Sequence, residues 1–128
     1  MNIYGFHHVA VPAADVEACA AFYREVLGLT EKARHLRADG SLRGVWLSIG
    51  PGEGEGGFLA VEARPEVPRL GPSMVAFRIG QRERASVVET LQRRGVKVVH
   101  QTRWTVYVED PAGNRVGLSH YPADPLPG

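Results

Sequence analysis

The sequence has one cysteine, almost no net charge and no long apolar run. Cys19 cannot form a disulfide within the chain, so a reducing compartment, the cytoplasm, is the expected location. Fifteen Lys and Arg against 14 Asp and Glu give a formal net charge of +1, which offers no electrostatic basis for binding nucleic acid or an anionic membrane. No apolar stretch approaches the roughly 20 residues of a membrane span, and no signal-peptide pattern is visible at the N-terminus. We therefore expect a soluble cytoplasmic protein.

What the sequence does contain begins with a strand that runs into a helix. In residues 6–11 the alternation puts His8 on the face opposite Val9 and Val11, while His7 has the parity of the packed face and is expected to be structural. Asp15 is a good N-cap, and apolar residues follow at helical spacing until Gly28. If this helix packs on the valine face, His8 points to whatever the sheet encloses.

The rest of the chain repeats this order of elements. Strands are predicted near residues 32–36, 45–49 and 58–63, with a flexible glycine-rich connection over 50–57. A proline-rich connector leads to a strand at 74–79, a helix with Ala85, Val88 and Leu91 inward and Gly95 as its stop, and strands at 96–99, 102–108 and 115–120. The tail from residue 122 is expected to be loose. Each half therefore reads strand, helix, strand, strand, strand.

The repeat predicts an α+β fold. His8 corresponds to Met74, Gly28 to Gly95, and, counted from the last strands, Glu62 to Gly117. A length of 128 residues is typical of one domain. We expect a single domain over 1–128, with two βαβββ modules at about 1–64 and 72–121 that form a cupped mixed sheet with the helices outside.

Alternation places polar and aromatic side chains on the concave side of this cup, against an almost entirely aliphatic opposite face. The aromatic members either line a ligand pocket or only fill the cup. The arginines either bind a carboxylate or phosphate or lie exposed at the rim. The predicted concave residues are Phe6, His8, Trp46, Ser48, Phe58, Glu62, Met74, Arg78, Arg103, Tyr107, Gly117 and Ser119.

Three stretches carry a resemblance to a known family: HHVAVPAADVEACAAFYREVLGL near the start, MVAFRI in the middle and YVEDPAGNRVGL near the end. Together they resemble the vicinal oxygen chelate superfamily, which includes glyoxalase I, methylmalonyl-CoA epimerase, extradiol dioxygenases, fosfomycin-resistance enzymes and bleomycin-resistance proteins. The resemblance covers essentially the whole chain. It implies paired βαβββ modules and frequent homodimers.

The resemblance also implies a divalent metal, Zn, Ni, Mn or Fe, held by residues of the first and last strands of each module. His8 and Glu62 match the histidine and glutamate of the first module, whereas Met74 and Gly117 stand where the second-module ligands would be. The metal site is therefore partial, because a catalytic metal needs at least three protein ligands. A second chain donating His35 would be one way to complete it.

Four functions remain open at this stage. The first is a metal-free, bleomycin-resistance-like or glyoxalase-like protein that binds a small organic molecule in the cup. The second is a metal-dependent lyase, isomerase or dioxygenase acting through an enolate-type or chelated oxygen. The third is metal-free catalysis with Glu62 as base and His8 as its proton partner, a pair that otherwise only hydrogen-bonds. The fourth is a structural dimerisation module.

Overall fold

The computed structural model describes residues 1–2, 6–50, 57–64 and 74–127. The chain divides into two compact units, Met1–Pro68 and Arg69–Gly128, called here the first and second unit. Each unit holds a four-stranded mixed sheet and one α-helix in the order strand, helix, strand, strand, strand. The prediction of an α+β fold built from two βαβββ modules is confirmed.

The first unit has the strand order β1-β4-β3-β2, in which β1 runs parallel to β4 and the other neighbours are antiparallel. The predicted strand at 58–63 has the observed bounds. The strands predicted at 32–36 and 45–49 begin two and three residues earlier in the structure. The elements are β1 His8–Ala13, α1 Val16–Ala21, a π-helical turn Phe22–Val26, β2 Thr30–Leu36, β3 Leu42–Ser48 and β4 Phe58–Ala63.

Helix α1 begins as the sequence predicts. The Asp15 side chain accepts a hydrogen bond from the Ala18 N–H at 3.0 Å, which satisfies one of the free donors of the first turn. The helix widens in its last turn, where the Leu27 N–H bonds to the carbonyl of Phe22. Gly28 follows with φ +77°, a conformation that glycine adopts without steric cost. The helix contacts β3 and β4.

The second unit repeats this topology with the order β5-β8-β7-β6. Again the first strand runs parallel to the last, and the other neighbours are antiparallel. Its elements are β5 Met74–Arg78, a 3-10 turn Gln81–Glu83, α2 Arg84–Arg93, β6 His100–Gln101, β7 Thr105–Glu109 and β8 Arg115–Ser119.

Three expectations for the second unit are wrong. No strand forms over 96–99, and β6 is only two residues long. Strand β7 begins three residues late, because the Thr102 hydroxyl accepts from the N–H groups of Trp104 and Thr105 and holds a turn there. In α2, Leu91 is buried as predicted, but Ala85 is exposed.

The tail after β8, expected to be loose, is held by polar contacts as far as Asp124. The Asp124 carboxylate forms an ion pair with Arg103 at 2.8 Å, and the Asp124 carbonyl accepts from the Gln81 side chain. A carbonyl at Ala123 bonds to the imidazole of His120. Polar contacts that a hydropathy pattern cannot reveal therefore fix residues 120–124.

Each sheet has one face packed with aliphatic side chains. The glycine-rich connection, which is predicted to be flexible, and the proline-rich connector lie outside the described residues over 51–56 and 65–73. In the described part of the chain, no helix has the length and apolarity needed to cross a membrane. The fully buried valine and leucine residues of the described strands are Val45, Leu47, Leu59 and Val61 in the first unit and Val106, Val108 and Val116 in the second.

Candidate functional site

Strand register decides which side chains share the helix-free face of the first sheet. Residues that pair across neighbouring strands project to the same side. His8 pairs with Phe58 and Phe58 with Ser48; Trp46 pairs with Ala60, and Glu62 with Gly44. We call this helix-free surface the open face. Of the predicted concave residues in the first unit, those that lie on it are His8, Trp46, Ser48, Phe58 and Glu62.

Two residues near the start of β1 differ from expectation. Phe6 precedes the strand and is 88% exposed, so it is not part of a lined pocket in this unit. His7 does not pack behind the sheet: its ring lies 5.5 Å from that of Phe58, and its Nδ1 is 2.9 Å from Nδ1 of His8. One of these two nitrogens must donate and the other accept.

A row of rings in contact crosses all four strands of the open face. His8 stacks on Phe58 with ring centroids 4.9 Å apart, and Phe58 stacks on Trp46 at 4.5 Å. The indole in turn meets the imidazole of His35 at 4.3 Å. The ammonium of Lys32 lies 4.9 Å from the Phe58 ring centre, a cation–π contact. We call His8, Phe58, Trp46 and His35 the ring row.

A cavity of about 330 Å³ opens beside the Trp46 end of this row. Gly44 lies at its middle, since this residue pairs with His35 on one side and with Glu62 on the other. Strands lie about 4.8 Å apart, so the missing side chain leaves a gap between the imidazole and the carboxylate. The cavity is lined by His35, Arg43, Gly44, Trp46, Glu62, Ala63 and Arg64 and is called here the Gly44 cavity.

His8 and Glu62 share a face but do not meet. Glu62 lies four residues beyond Phe58, the partner of His8, which corresponds to about 13 Å along the strand. The His8 ring is stacked on Phe58, and the Glu62 carboxylate forms an ion pair with the Arg64 guanidinium at 4.0 Å. The two groups are too far apart to exchange a proton or share an ion.

The register also corrects the internal alignment. Gly117 lies two residues beyond Arg115, the β8 partner of Met74. The equivalent residue of the first unit, two beyond Phe58, is Ala60. Gly117 therefore matches Ala60, and Glu62 matches Ser119.

This correction bears on the implied metal. At the four positions of the corrected repeat, His8, Ala60, Met74 and Gly117, only His8 offers an imidazole or carboxylate. In the ranges that the structure describes, no three or more His, Cys, Asp or Glu residues are grouped to hold an ion. A catalytic metal needs about three such ligands, so these residues do not fit the group.

In the second unit the register places Met74, Arg78, Tyr107, Gly117 and Ser119 on the face opposite the buried Val106, Val108 and Val116. Tyr107 is flanked by the His100 ring at 5.7 Å and by the Arg115 guanidinium at 5.4 Å. A Cβ on Gly117 would lie only 3.3 Å from that of Ala76, so a larger residue there would crowd its neighbours.

Arg103, predicted to face a ligand, lies in the turn before β7. It forms the ion pair with Asp124 and covers the Trp104 ring at 5.1 Å.

An ion-pair network joins α1 to the edge strand β2. The Arg34 guanidinium contacts Glu17 at 2.6 Å and Glu31 at 2.9 Å. Its hydrogen bonds lower the pKa of both carboxyl groups below their ordinary value, and the two carboxylates raise the pKa of Arg34. The network thus holds β2, the strand that carries His35, against the helix.

Taken together, the topology and the ring-lined face define a duplicated βαβββ protein with a polar, aromatic surface opposite its helix. A family model of the glyoxalase/bleomycin resistance protein/dioxygenase superfamily matches residues 5–118. The chain belongs to this superfamily.

Solved structures agree on the fold. Lactoylglutathione lyase from Agrobacterium tumefaciens is 24% identical, with a TM-score of 0.72 over 94% of this chain and 96% of that one. A glyoxalase/dioxygenase from Nostoc punctiforme is 22% identical, with a TM-score of 0.72 over 98% and 94%. A mutant of the fosfomycin resistance protein FosX from Listeria monocytogenes, complexed with Mn(II) and 1S,2S-dihydroxypropylphosphonic acid, is 18% identical, with a TM-score of 0.75 over 93% of both chains. At these identities the likeness establishes the fold alone.

Proposed function

We propose that the protein binds a small organic molecule on the open face of its first unit, without a complete catalytic metal site. The observation that carries the proposal is the ring row, which ends at a cavity of about 330 Å³. That volume lies at the small end of ligand pockets, which are typically about 300–1,000 Å³. The name of the superfamily covers bleomycin resistance proteins as well as glyoxalases and dioxygenases.

The chemistry of the open face favours a planar ligand. Aromatic rings offer a large apolar contact at low conformational cost, and Lys32 adds a cation above the row. Phe58 is buried and Trp46 is half-buried, so Trp46 is the ring of this pair that a ligand reaches. The indole also lines the Gly44 cavity and therefore connects the two features.

The metal-dependent lyase, isomerase or dioxygenase is the weaker alternative. Of the four positions that the corrected repeat identifies, only His8 carries a metal-binding side chain. Glu62 is about 13 Å further along the sheet than His8. Catalysis by a His8–Glu62 pair is not supported for the same reason. We therefore assign no reaction to these two residues.

Screening a library of small aromatic molecules by thermal shift, followed by calorimetry of the hits, tests the proposal. Ligands that bind the folded chain raise its melting temperature. Trp46→Ala should weaken the hits at least tenfold, whereas Tyr107→Ala, at the equivalent position of the second unit, should leave them within twofold. A library without hits, or hits that do not respond to Trp46→Ala, would refute binding at the open face.

A further inference from the structure

The Gly44 cavity carries an excess of positive charge. It is lined by Arg43, Arg64 and a single carboxylate, Glu62. The Arg64–Glu62 pair is loose, at 4.0 Å, and both side chains are substantially exposed. Arg43 forms no ion pair with any residue in the described ranges. A guanidinium in this state is available to bind a carboxylate in its planar, two-pronged geometry.

One wall of the cavity has an unsatisfied polar atom. Nε2 of His35 is covered from solvent, yet it has no hydrogen-bond partner within the described parts of the chain. Leaving such an atom unpaired is unfavourable, and most buried polar atoms of native proteins have a partner. His35 lines the cavity and its imidazole lies against Trp46, so we expect a bound ligand to supply the missing partner.

The opposite wall supplies an acceptor. Glu62 faces His35 across the side-chain-free Gly44, one strand to either side. An ionised carboxylate only accepts hydrogen bonds, whereas a neutral imidazole can donate or accept. A hydroxyl group can donate to the carboxylate and pair with the imidazole, which suits the space between these two walls.

We propose that the Gly44 cavity binds a small aromatic hydroxy acid: Arg43 and Arg64 hold its carboxylate, Trp46 contacts its ring, and Glu62 and His35 hold its hydroxyl. This proposal deepens the proposed function and rests on it. The ligand class follows from the cavity's two arginines, its one aromatic wall and its polar pair.

Calorimetry with three matched probes tests the inference: 4-hydroxybenzoate, 4-hydroxybenzamide, which lacks the charge, and benzoate, which lacks the hydroxyl. We expect 4-hydroxybenzoate to bind at least tenfold more tightly than either of the others. The double variant Arg43→Gln/Arg64→Gln should abolish the preference for the acid over the amide. Arg93→Gln, on the exposed side of α2, is the matched control and should leave all three affinities unchanged.

His35→Phe tests the unpaired nitrogen. The change keeps a ring against Trp46 but removes Nε2. We expect it to raise the melting temperature of the free protein. The affinity for 4-hydroxybenzoate should fall at least tenfold, and the affinity for benzoate should fall less than twofold. Trp104→Phe removes the other buried unpaired nitrogen of the described residues, which lies in the second unit, and should leave every affinity within twofold. A structural role of His35 alone would not separate the two acids.

The outcomes distinguish this inference from the function on which it rests. If neutral aromatic molecules bind as well as acids and remain dependent on Trp46, the hydroxy-acid assignment is wrong and the open-face proposal stands. If no aromatic molecule of either charge binds, both fail. If the double arginine variant still prefers the acid to the amide, Arg43 and Arg64 do not hold the carboxylate, and this assignment is also wrong.

Discussion

The two units use the same strand register, and one of the rows of side chains that differ between them bears on the cavity. Glu62 corresponds to Ser119, so Gly44, which pairs with Glu62, corresponds to Thr105. In the second unit the Thr105 hydroxyl donates to that of Ser119 at 2.8 Å, and its N–H bonds to the Thr102 hydroxyl at 3.0 Å. The first unit has no side chain at the position where the second unit has Thr105, and the Gly44 cavity lies there.

Arg84 of the second unit and Arg43 of the first unit show a parallel contrast. In the second unit, the Arg84 guanidinium donates to the carbonyls of Thr102 and Arg103 and contacts Gln101 and His120. Because arginine can only donate, Nε2 of His120 accepts, and its Nδ1–H donates to the Ala123 carbonyl. These groups serve the fold. In the first unit, Arg43 and Lys32 make no such set of bonds within the described ranges, which leaves them for a ligand.

The largest expected effect lies behind the open face. Leu59 is fully buried on the packed side of β4, next to Phe58, so Leu59→Ala should lower the free energy of unfolding by about 2–5 kcal/mol. Urea unfolding followed by circular dichroism measures the change. Leu36→Ala is the control: this leucine is 62% exposed, and its truncation should cost less than about 0.5 kcal/mol. Equal losses would mean that the first unit does not bury β4 as described.

Closing the cavity should cost binding rather than stability. A Cβ on Gly44 would lie 3.1 Å from the Val61 carbonyl oxygen, within the gap between His35 and Glu62. We expect Gly44→Ala to weaken 4-hydroxybenzoate at least tenfold. The free energy of unfolding should change by less than about 1 kcal/mol, because lower entropy of the unfolded chain offsets the tight contact.

A substitution at Thr105, the counterpart of Gly44 in the second unit, tests whether binding is confined to the first unit. Thr105→Ala removes the hydroxyl that bonds to Ser119 and should cost about 1 kcal/mol of stability without affecting ligand affinity. Calorimetry and urea unfolding of both variants measure the two effects. If Thr105→Ala weakens the ligand as much as Gly44→Ala does, the site is not confined to the first unit.

Much of this architecture follows from local patterns in the sequence. Alternation correctly placed Trp46, Phe58 and Glu62 on one face, because β3 and β4 are regular and packed on one side. Alternation does not place His35 on this face, because β2 has register shifts between Glu31 and Ala33 and between His35 and Leu36. What identifies His35 as a residue of this face is its pairing with Gly44, and that pairing is visible only in the structure.

Register was the main quantity that the sequence could not supply. Counting offsets across loops of unequal length aligned Glu62 with Gly117, two residues from the observed match with Ala60. A shift of two residues keeps every side chain on its face, so periodicity cannot detect the error. The prediction that Arg103 faces a ligand is wrong for a different reason. The hydrogen bonds of the Thr102 side chain hold a turn, so β7 begins after Arg103, later than the hydropathy pattern indicates.

Acid should weaken the attachment of β2 to α1. The folded-state pKa values of Glu17 and Glu31 lie below the ordinary 4.5, so folding favours the ionised carboxylates. This stabilisation is fully present above pH 4.5 and is lost as the pH falls through the lowered values. We expect the melting temperature to drop between pH 4.5 and 3 in the unaltered protein and to drop less in Arg34→Gln. Because the network is largely exposed, the difference should be small.

Arg93→Gln provides the comparison within the second unit. It removes an exposed pair with Glu89 at 3.9 Å, which has little to contribute. Its melting curve against pH should therefore parallel that of the unaltered chain. A parallel curve for Arg34→Gln as well would show that the network does not stabilise the first unit.

The smallest expected effect concerns the metal that the superfamily resemblance implies. Only His8 remains among the four positions that the corrected repeat identifies, and a lone imidazole binds divalent ions weakly. Elemental analysis after soaking with Zn, Ni, Mn or Fe(II) and dialysis should find well under one ion per chain, and His8→Ala should not change the content or the melting temperature in the presence of metal. Stoichiometric metal that disappears in His8→Ala would contradict this, and it would mean that donors beyond these four positions complete the set.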